Sequence, residues 1–252
     1  MIKMKKVSAG YGKQVKISGI DLQFKEGTMT VIVGPNGSGK STLIKSIVGL
    51  NQVMEGEIEV CGENTKILGH KKLAQMVSYL SQERNLPSIT ASKMVLHGRF
   101  PYLSYPRHYS DTDKQYVREA MERMGIWELR NEEVARLSGG ERQKVYLAMA
   151  LAGNTDILIL DEPTTYLDVC YQIELMKLLK NLQKEGKTIV VILHDLNAAL
   201  RYADQVVVMR EGNAVGCGTA DEIYKSKILD ETFGIHTHVF VDGEGEKQYY
   251  FN

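Results

Sequence analysis

The octapeptide GPNGSGKS at residues 34–41 constrains the fold of this 252-residue chain more than any other feature. Its glycines let the backbone curl with the N–H groups pointing inward, and the helix predicted to follow adds its N-terminus to this anion nest. Lys40 is placed to reach the β- and γ-phosphates of a nucleotide, and the Ser41 hydroxyl suits Mg²⁺. TVIV, just before the loop, predicts a strand. The residues expected to contact the nucleotide are Gly34, Pro35, Asn36, Gly37, Ser38, Gly39, Lys40, Ser41 and Thr42.

Two adjacent carboxylates follow another apolar run. Residues 157–162 read ILILDE, so Asp161 and Glu162 stand at the carboxyl end of a predicted buried strand. In open α/β sheets, ligands bind at that edge. Asp161 would hold Mg²⁺ through its water shell, and Glu162 would polarise an attacking water. Phosphoryl transfer requires both tasks, so the pair suits that chemistry.

Short apolar runs alternate with helical patterns along most of the chain. Strands are predicted over Ile17–Phe24, Thr30–Val33, Glu57–Val60, Val77–Leu80, Ile157–Leu160, Thr188–Leu193 and Gln205–Met209, with possible edge strands at Thr237–Val241 and Gln248–Phe251. Helices are predicted over about Thr42–Leu50, Val169–Lys184 and Leu196–Tyr202. This alternation predicts an α/β fold with a mostly parallel sheet that is covered on both faces.

The middle of the chain differs, because residues 85–153 carry little strand signal. We expect a helical subdomain here, inserted into an α/β core formed by residues 1–84 and 154–252. Helices are predicted over Asp111–Met124, with Asp111 as N-cap, and over Gly140–Leu151.

The heptapeptide LSGGERQ at residues 137–143 precedes the second of these helices. Taken alone, it is a capped helix start. Ser138 and the two glycines can also present N–H groups and a hydroxyl to an anion. A chain with a phosphate loop does not need a second anion nest, so one interpretation is that this nest serves a nucleotide held by another copy.

Composition narrows the class of partner. The formal net charge is zero and no five Lys/Arg residues run together, so nothing points to nucleic acid or anionic lipid. No signal peptide and no apolar stretch of about 18 residues is present, so any work at a membrane would go through a partner. Cys61, Cys170 and Cys217 are expected to be reduced, buried thiols. His236 and His238 form an H-x-H pair without an evident third ligand, so solvated or edge-strand histidines are expected.

Taken together, these motifs resemble those of the nucleotide-binding subunits of ABC transporters, over nearly the whole chain. GPNGSGKST resembles the Walker A motif, ILILDE the Walker B motif with its catalytic glutamate, and LSGGERQ the signature motif. The resemblance implies a P-loop NTPase core with a mixed or parallel sheet, an antiparallel β subdomain and the inserted helical subdomain. It also implies that Gln82 touches Mg²⁺ and couples to a membrane domain, that His194 senses the γ-phosphate, and that Tyr11 stacks on adenine.

The resemblance further implies an ATPase that works as a homodimer with two ATP–Mg²⁺ enclosed between the copies. The implied catalytic residues are Glu162, His194, Lys40 and Gln82, and the implied metal-site residues are Ser41, Gln82 and Asp161. The second copy would complete each site with Ser138, Gly139, Gly140 and Glu141, while Asp168, in the D-loop, would line the seam. A non-hydrolysing scaffold is disfavoured by the intact Glu162 and His194.

Two stretches, GRFP at 98–101 and DEPTTYLDVCYQIE at 161–174, look like the importer ATPases for ferric siderophores, haem and vitamin B12. Zinc and manganese importer ATPases look similar here, so the cargo stays open. The implied partners are an integral-membrane permease, docked on Asn85–Ser104 at the cytoplasmic face, and indirectly a substrate-binding protein. Phe100, Tyr102 and Leu103 could face the permease or pack into their own subdomain. A soluble ABC ATPase of DNA repair or translation is an alternative, but those typically carry two cassettes or long coiled-coil inserts.

Overall fold

The computed structural model describes residues 1–82, 88–165, 167–243, 245 and 247–252. The strands in this part of the chain are β1 Ile2–Tyr11, β2 Gln14–Phe24, β3 Met29–Val33, β4 Gln52–Val60, β5 Glu63–Asn64, β6 Val77–Leu80, β7 Ile157–Leu160, β8 Thr188–Ile192, β9 Gln205–Arg210, β10 Asn213–Gly218, β11 Thr237–Val241 and β12 Lys247–Phe251. The α-helices are α1 Lys40–Ile47, α2 Thr65–Met76, α3 Ala91–Leu96, α4 Asp111–Arg123, α5 Gly139–Ala152, α6 Val169–Lys184, α7 Leu196–Tyr202, α8 Ala220–Ser226 and α9 Ile228–Phe233. Short 3-10 turns cover His97–Tyr102, Trp127–Leu129 and Val134–Arg136.

The central sheet has the strand order β10-β9-β3-β8-β7-β6. All neighbouring pairs in it are parallel except β10 with β9. Strands β3, β7 and β8 are buried along their whole length, as expected for Val/Ile/Leu-rich strands with helices on both faces. The predicted α/β fold is therefore confirmed.

A second, antiparallel sheet has the order β2-β1-β4-β5. The sequence pattern did not predict β1, and the reason is physical. Ile2 and Met4 face the core in alternation, but the register shifts between Met4 and Val7, where Lys6 has φ 47°. A bulge of this kind changes the phase of the alternation, so no single period runs through the strand.

Among the described residues between β6 and β7, the regular elements are helices and 3-10 turns, and an isolated bridge joins Thr90 to Glu133. The predicted N-cap of α4 was wrong by one residue. Ser110, not Asp111, caps the helix, because its hydroxyl accepts from Asp113 N–H while the Asp113 carboxylate accepts from the Ser110 N–H. Asp111 lies in the first turn, where its charge is also favourable.

The two C-terminal strands pair with each other as a separate two-stranded sheet. Tyr249 of β12 packs into the same apolar core as the central sheet. His238 stacks on Tyr250, with its Nε2 3.0 Å from Asn252 Oδ1, as an edge-strand histidine would.

The expected burial of the thiols was wrong. Cys61, Cys170 and Cys217 are free but exposed. Cys61 follows the last residue of β4 at φ 50°, Cys170 lies in the first turn of α6, and Cys217 lies on the edge strand β10. Within the described residues, no helix is long and apolar enough to cross a membrane, and no group of three or more His, Cys, Asp or Glu side chains could hold a metal ion.

Candidate functional site

The carboxyl ends of four adjacent parallel strands bring the predicted catalytic residues together. β3 leads into the loop at residues 34–41, and β6 is followed by Gln82. Asp161 and Glu162 follow β7, and His194 follows β8. Because β3, β8, β7 and β6 are neighbours in that order, these residues meet at one edge of the sheet.

A cavity of about 510 Å³ opens at this edge. It is lined by Tyr11, Lys16, Asn36, Gly37, Ser38, Gly39, Lys40, Ser41, Thr42, Gln82, Glu162 and His194. Lys16 is the lining residue that the sequence reasoning missed. Lys16 lies on β2, which pairs with β1, the strand that ends at Tyr11. Only the pairing of these two strands brings Lys16 to the loop at residues 34–41.

The loop at residues 34–41 forms a tight cradle at the N-terminus of α1. Gly39 has φ +99°, and a Cβ added there would lie 2.6 Å from Ile17 Cγ2, so glycine is required. The buried Lys40 Nζ donates to the carbonyls of Gly34 at 2.7 Å and Pro35 at 2.9 Å. Burial lowers the pKa of Lys40, and the nearby charges of Glu162 and Asp161 offset only part of that effect.

Asp161 is 1% exposed and lies beside the first turn of α1. Its Oδ1 accepts from Ser41 Oγ at 3.1 Å, and its Oδ2 accepts from Tyr79 Oη at 3.4 Å. Burial raises the pKa of Asp161, and the charge of Glu162 acts in the same direction. The hydroxyl of Ser41 and this carboxylate are hard oxygen donors, the type that Mg²⁺ prefers. Tyr79 is a second residue of the site that no sequence motif indicated, because it lies within strand β6.

The carboxylate of Glu162 lies between two other predicted residues. Gln82 Nε2 donates to Oε2 at 2.5 Å, and His194 Nε2 lies 2.7 Å from Oε1. Glu162 has φ 50°, a left-handed conformation that is uncommon for a residue with a side chain. Such outliers cluster at functional sites, where the surroundings hold the strained backbone. Glu162 is nearly buried, whereas the His194 side chain is half exposed.

The signature segment and Asp168 do not line this cavity. Ser138 is the N-cap of α5 in a capping box with Glu141, whose pKa is lowered by the hydrogen bonds from the Ser138 hydroxyl and N–H. Asp168 is the exposed N-cap of α6, with its carboxylate accepting from Tyr171 N–H. Helix α5 is nevertheless tied to the site edge, because Gln143 Nε2 donates to the carbonyl of Pro163, next to Glu162.

A phosphate-binding loop between β3 and α1, at the carboxyl edge of a parallel sheet, defines a nucleotide-binding protein of the P-loop class. The sequence profile of the ABC transporter family matches residues 17–165. The chain is 36% identical to the iron(3+)-hydroxamate import ATP-binding protein FhuC of Bacillus subtilis (strain 168), over 94% of this chain and 89% of that protein. It is 36% identical to the ferric enterobactin transport ATP-binding protein FepC of Escherichia coli (strain K12), over 94% and 88%. The chain therefore belongs to the ABC transporter family, as an ATP-binding subunit with ATPase activity.

Solved structures agree with this assignment. A dimeric, post-hydrolysis state of the ATP-binding cassette MJ0796, bound to ADP and Pi, has a TM-score of 0.77 at 30% identity. The match covers 87% of this chain and 99% of that chain. An inward-facing ABC transporter has a TM-score of 0.85 over 100% of this chain and 97% of that chain, and at 23% identity it shows the shared fold alone.

Proposed function

We propose that this chain is the ATP-hydrolysing subunit of an importer, acting as a homodimer beneath a membrane permease, with a ferric siderophore as cargo. The observation that carries the proposal is the single edge where the phosphate loop meets Glu162, itself held between Gln82 and His194. Hydrolysis needs a cradle for phosphates beside a carboxylate that can orient water, and both are present here.

The residues of one copy would divide the work as follows. The N–H groups of the loop and Lys40 would hold the β- and γ-phosphates, and the exposed ring of Tyr11 would stack on the base. Ser41 and Asp161, with Gln82, would hold Mg²⁺, which when bound neutralises phosphate charge. Glu162 would accept the proton of the attacking water, and His194 would donate to the γ-phosphate after leaving the carboxylate.

A second copy would complete each site. Ser138 and Gly139 are exposed at the N-terminus of α5, outside the cavity of their own chain. The Ser138 hydroxyl and N–H, which donate to the Glu141 carboxylate in the single chain, would turn to the γ-phosphate of a facing subunit, and Asp168 would line the seam in a two-fold arrangement. The relative MJ0796, described as dimeric and bound to ADP and Pi, supports this assembly.

The permease surface is a groove between the two parts of the predicted domain. A cavity of about 310 Å³ is walled by Leu73 and Val77 from the core and by Pro101, Met149 and Ala150 from the helical segment. Leu50, which also lines the cavity, is exposed, and so are the apolar side chains of Ile67, Phe100 and Tyr105, which do not line it. An amphipathic helix of a permease fits such a groove.

This surface overlaps the segment expected from the sequence, because His97, Gly98 and Pro101 of that segment line the groove. Residues 85–87 of the expected docking segment lie outside the described residues. Tyr102 and Leu103 are half-buried against their own chain, while Phe100 stays exposed. The helix α2 also contributes to the groove. The division of the domain at residues 84 and 153 stays a prediction, and this groove is the boundary that supports it.

The cargo is inferred from relatives. FhuC is named for iron(3+)-hydroxamate, FepC for ferric enterobactin, and FpuD of Bacillus anthracis, 35% identical over 96% of this chain and 89% of that protein, for petrobactin. We therefore favour an iron chelate over haem, cobalamin, zinc or manganese. Transport by the chain reconstituted with its permease and binding protein, with ferric siderophores against these other cargoes, tests this point.

The catalytic assignment is tested with Glu162→Gln. Loss of the general base should lower ATP turnover by about 10²–10⁴-fold while ATP binding persists, so that the variant accumulates as an ATP-bound dimer. Turnover by phosphate release and dimerisation by sedimentation give the two measurements. Glu132→Gln, at an exposed position, is the matched control. Near-normal hydrolysis by Glu162→Gln would refute the assignment.

The shared site is tested by mixing inactive variants. Lys40→Ala damages the phosphate-loop half, and Ser138→Arg blocks the signature half. A mixed dimer contains one site with both halves intact and one site with both halves damaged. The mixture should therefore hydrolyse ATP faster than either parent alone. If every mixing ratio gives only the parental rates, sharing between copies is rejected.

A further inference from the structure

The segment GRFP at residues 98–101 takes no part in the ATP cavity, yet it contains the buried Arg99 and a glycine in close backbone contact with α5. It lies in the 3-10 turn between α3 and α4. A Cβ added to Gly98 would lie 2.1 Å from the carbonyl oxygen of Met149, so this turn and α5 touch backbone to backbone. On the other side, Gln75 Nε2 of α2 donates to the Pro101 carbonyl at 2.8 Å. The turn is therefore wedged between the core and α5.

Arg99 is the centre of this contact. It is 6% exposed, and its Nε donates to Asp113 Oδ1 at 2.9 Å. Its Nη1 donates to the carbonyls of Ala152 at 3.1 Å and Gly153 at 3.0 Å. The guanidinium lies 3.9 Å and 4.4 Å from the ring centroids of Tyr102 and Tyr116. One side chain thus joins the 3-10 turn, the start of α4 and the end of α5.

The charges in this network match the helix ends they touch. The cation of Arg99 sits on the last carbonyls of α5, where a helix is partially negative. The anion of Asp113 sits in the first turn of α4, where a helix is partially positive, and it also accepts from Ser110. A buried ion pair adds little net stability compared with apolar side chains packed in its place. The contribution of the Arg99–Asp113 pair is therefore the fixed geometry of the elements it joins, rather than free energy of folding.

The end of α5 is also held to the core. Tyr102 Oη donates to the Gly153 carbonyl at 2.8 Å and lies 3.3 Å from the Gln75 carbonyl. A Cβ on Gly153 would lie 2.4 Å from Ser78 Oγ of β6, so the end of α5 packs against β6 with no room for a side chain at position 153. The opposite end of the same helix carries Ser138 and Glu141.

We propose that Arg99 is a positioning residue for ATP hydrolysis, which fixes the end of α5 beneath the groove and thereby sets the direction in which Ser138 faces the second copy. The inference rests on the proposed shared site. His97, Gly98 and Pro101 wall the groove from the same turn, so a permease segment bound there presses on the segment that holds α5. Arg99 therefore acts, through α5 and Ser138, on the ATP bound by the partner copy.

The test uses Arg99→Met, which keeps much of the apolar stem but removes the guanidinium, with Arg99→Lys as the conservative variant. Arg107→Met is the matched control, since Arg107 is exposed and lies near the same turn, over the ring of Phe100. ATP affinity of the isolated chain should be unchanged in all three. In the Glu162→Gln background, ATP-driven dimerisation should weaken about 10–100-fold for Arg99→Met, less for Arg99→Lys, and not for the control.

Mixing separates a positioning role from general damage. Arg99→Met should regain activity when mixed with Lys40→Ala. It should gain nothing when mixed with Ser138→Arg, because both of these variants damage the signature half of the shared site. If Lys40→Ala and Ser138→Arg fail to complement each other, the shared site itself is refuted. If they do, and Arg99→Met dimerises normally or follows the Lys40→Ala pattern instead, the role of Arg99 is refuted. Should Arg99→Met not fold, Tyr102→Phe, which removes the bond to Gly153, is measured in the same way.

Discussion

At the scale of single residues, Asp161 shows a conflict between stability and ligand binding. Its carboxylate is buried beside Glu162, and burial raises its pKa above the ordinary value. The folded state therefore holds the proton more tightly than the unfolded state does. The free energy of unfolding falls as pH rises from the ordinary carboxyl pKa to the raised one. The nucleotide-free protein carries this penalty in full once the pH lies above the raised pKa.

We expect Asp161→Asn to stabilise the nucleotide-free protein while weakening ATP binding in the presence of Mg²⁺. The amide is neutral and its oxygen can still accept from Ser41, so about 1 kcal/mol, or about 2–4 °C in Tm, is expected. Thermal unfolding without nucleotide and ATP titration with Mg²⁺ measure the two effects. Asp156→Asn, at an exposed position, is the control and should change neither. A lower Tm for Asp161→Asn would contradict this account of the buried charge.

At the scale of elements, the ends of the helices decide the geometry. α4, α5 and α8 all begin with a capping box, in which a Ser or Thr pairs with an acidic residue three positions later. For α4 the cap is part of a larger arrangement, because the capping carboxylate of Asp113 also holds Arg99. Burial acts to raise the pKa of Asp113, but hydrogen bonds from Arg99 and Ser110 outweigh it and hold that pKa below its usual value.

We expect Ser110→Ala to lower the free energy of unfolding by about 1 kcal/mol, because it removes the hydroxyl that accepts from the Asp113 N–H. Asp111→Ala is the matched control from the next position. Its carboxylate is exposed and pairs with Lys114, so the loss should stay within about 0.5 kcal/mol. Denaturant unfolding at neutral pH compares the two. Equal losses, or a larger loss for Asp111→Ala, would mean that the cap is misassigned.

At the scale of the whole molecule, the proposed site is incomplete in one chain. The cavity holds the phosphate loop, Gln82, Glu162 and His194, while Ser138 and Asp168 lie outside it. The nucleotide would join two copies through its γ-phosphate, and hydrolysis would release that link. The resulting opening and closing would be a ligand-driven shift between two states, which the groove would pass to a permease.

This assembly predicts that the isolated chain hydrolyses ATP with a rate per molecule that depends on protein concentration. Below the dissociation constant of the dimer, a ten-fold dilution should lower the specific activity by about ten-fold. ATPase assays across a dilution series, with sedimentation of the same samples, measure this. A constant specific activity in samples that sediment as monomers would mean that one chain suffices.

The sequence by itself determined the local elements that carry the chemistry. The strand–loop–helix around residues 34–41, the buried strand before Asp161, and the helices Val169–Lys184 and Leu196–Tyr202 follow from glycine content, apolar runs and helical periodicity. These signals lie within a few residues of one another, so they can be seen in the chain before it folds. Sequence motifs therefore pointed to most of the residues that line the cavity.

Only the tertiary structure decided which distant residues meet. Ser41 and Asp161 are 120 positions apart, and the order of β3, β8, β7 and β6 brings them within 3.1 Å. Lys16 and Tyr79 reach the site through strand pairing, and the burial of Arg99 depends on three helical segments closing around it. Such contacts are set by sheet order and by packing between elements, which leave no period or spacing in the sequence. The same packing left the three thiols exposed, although the sequence had predicted buried ones.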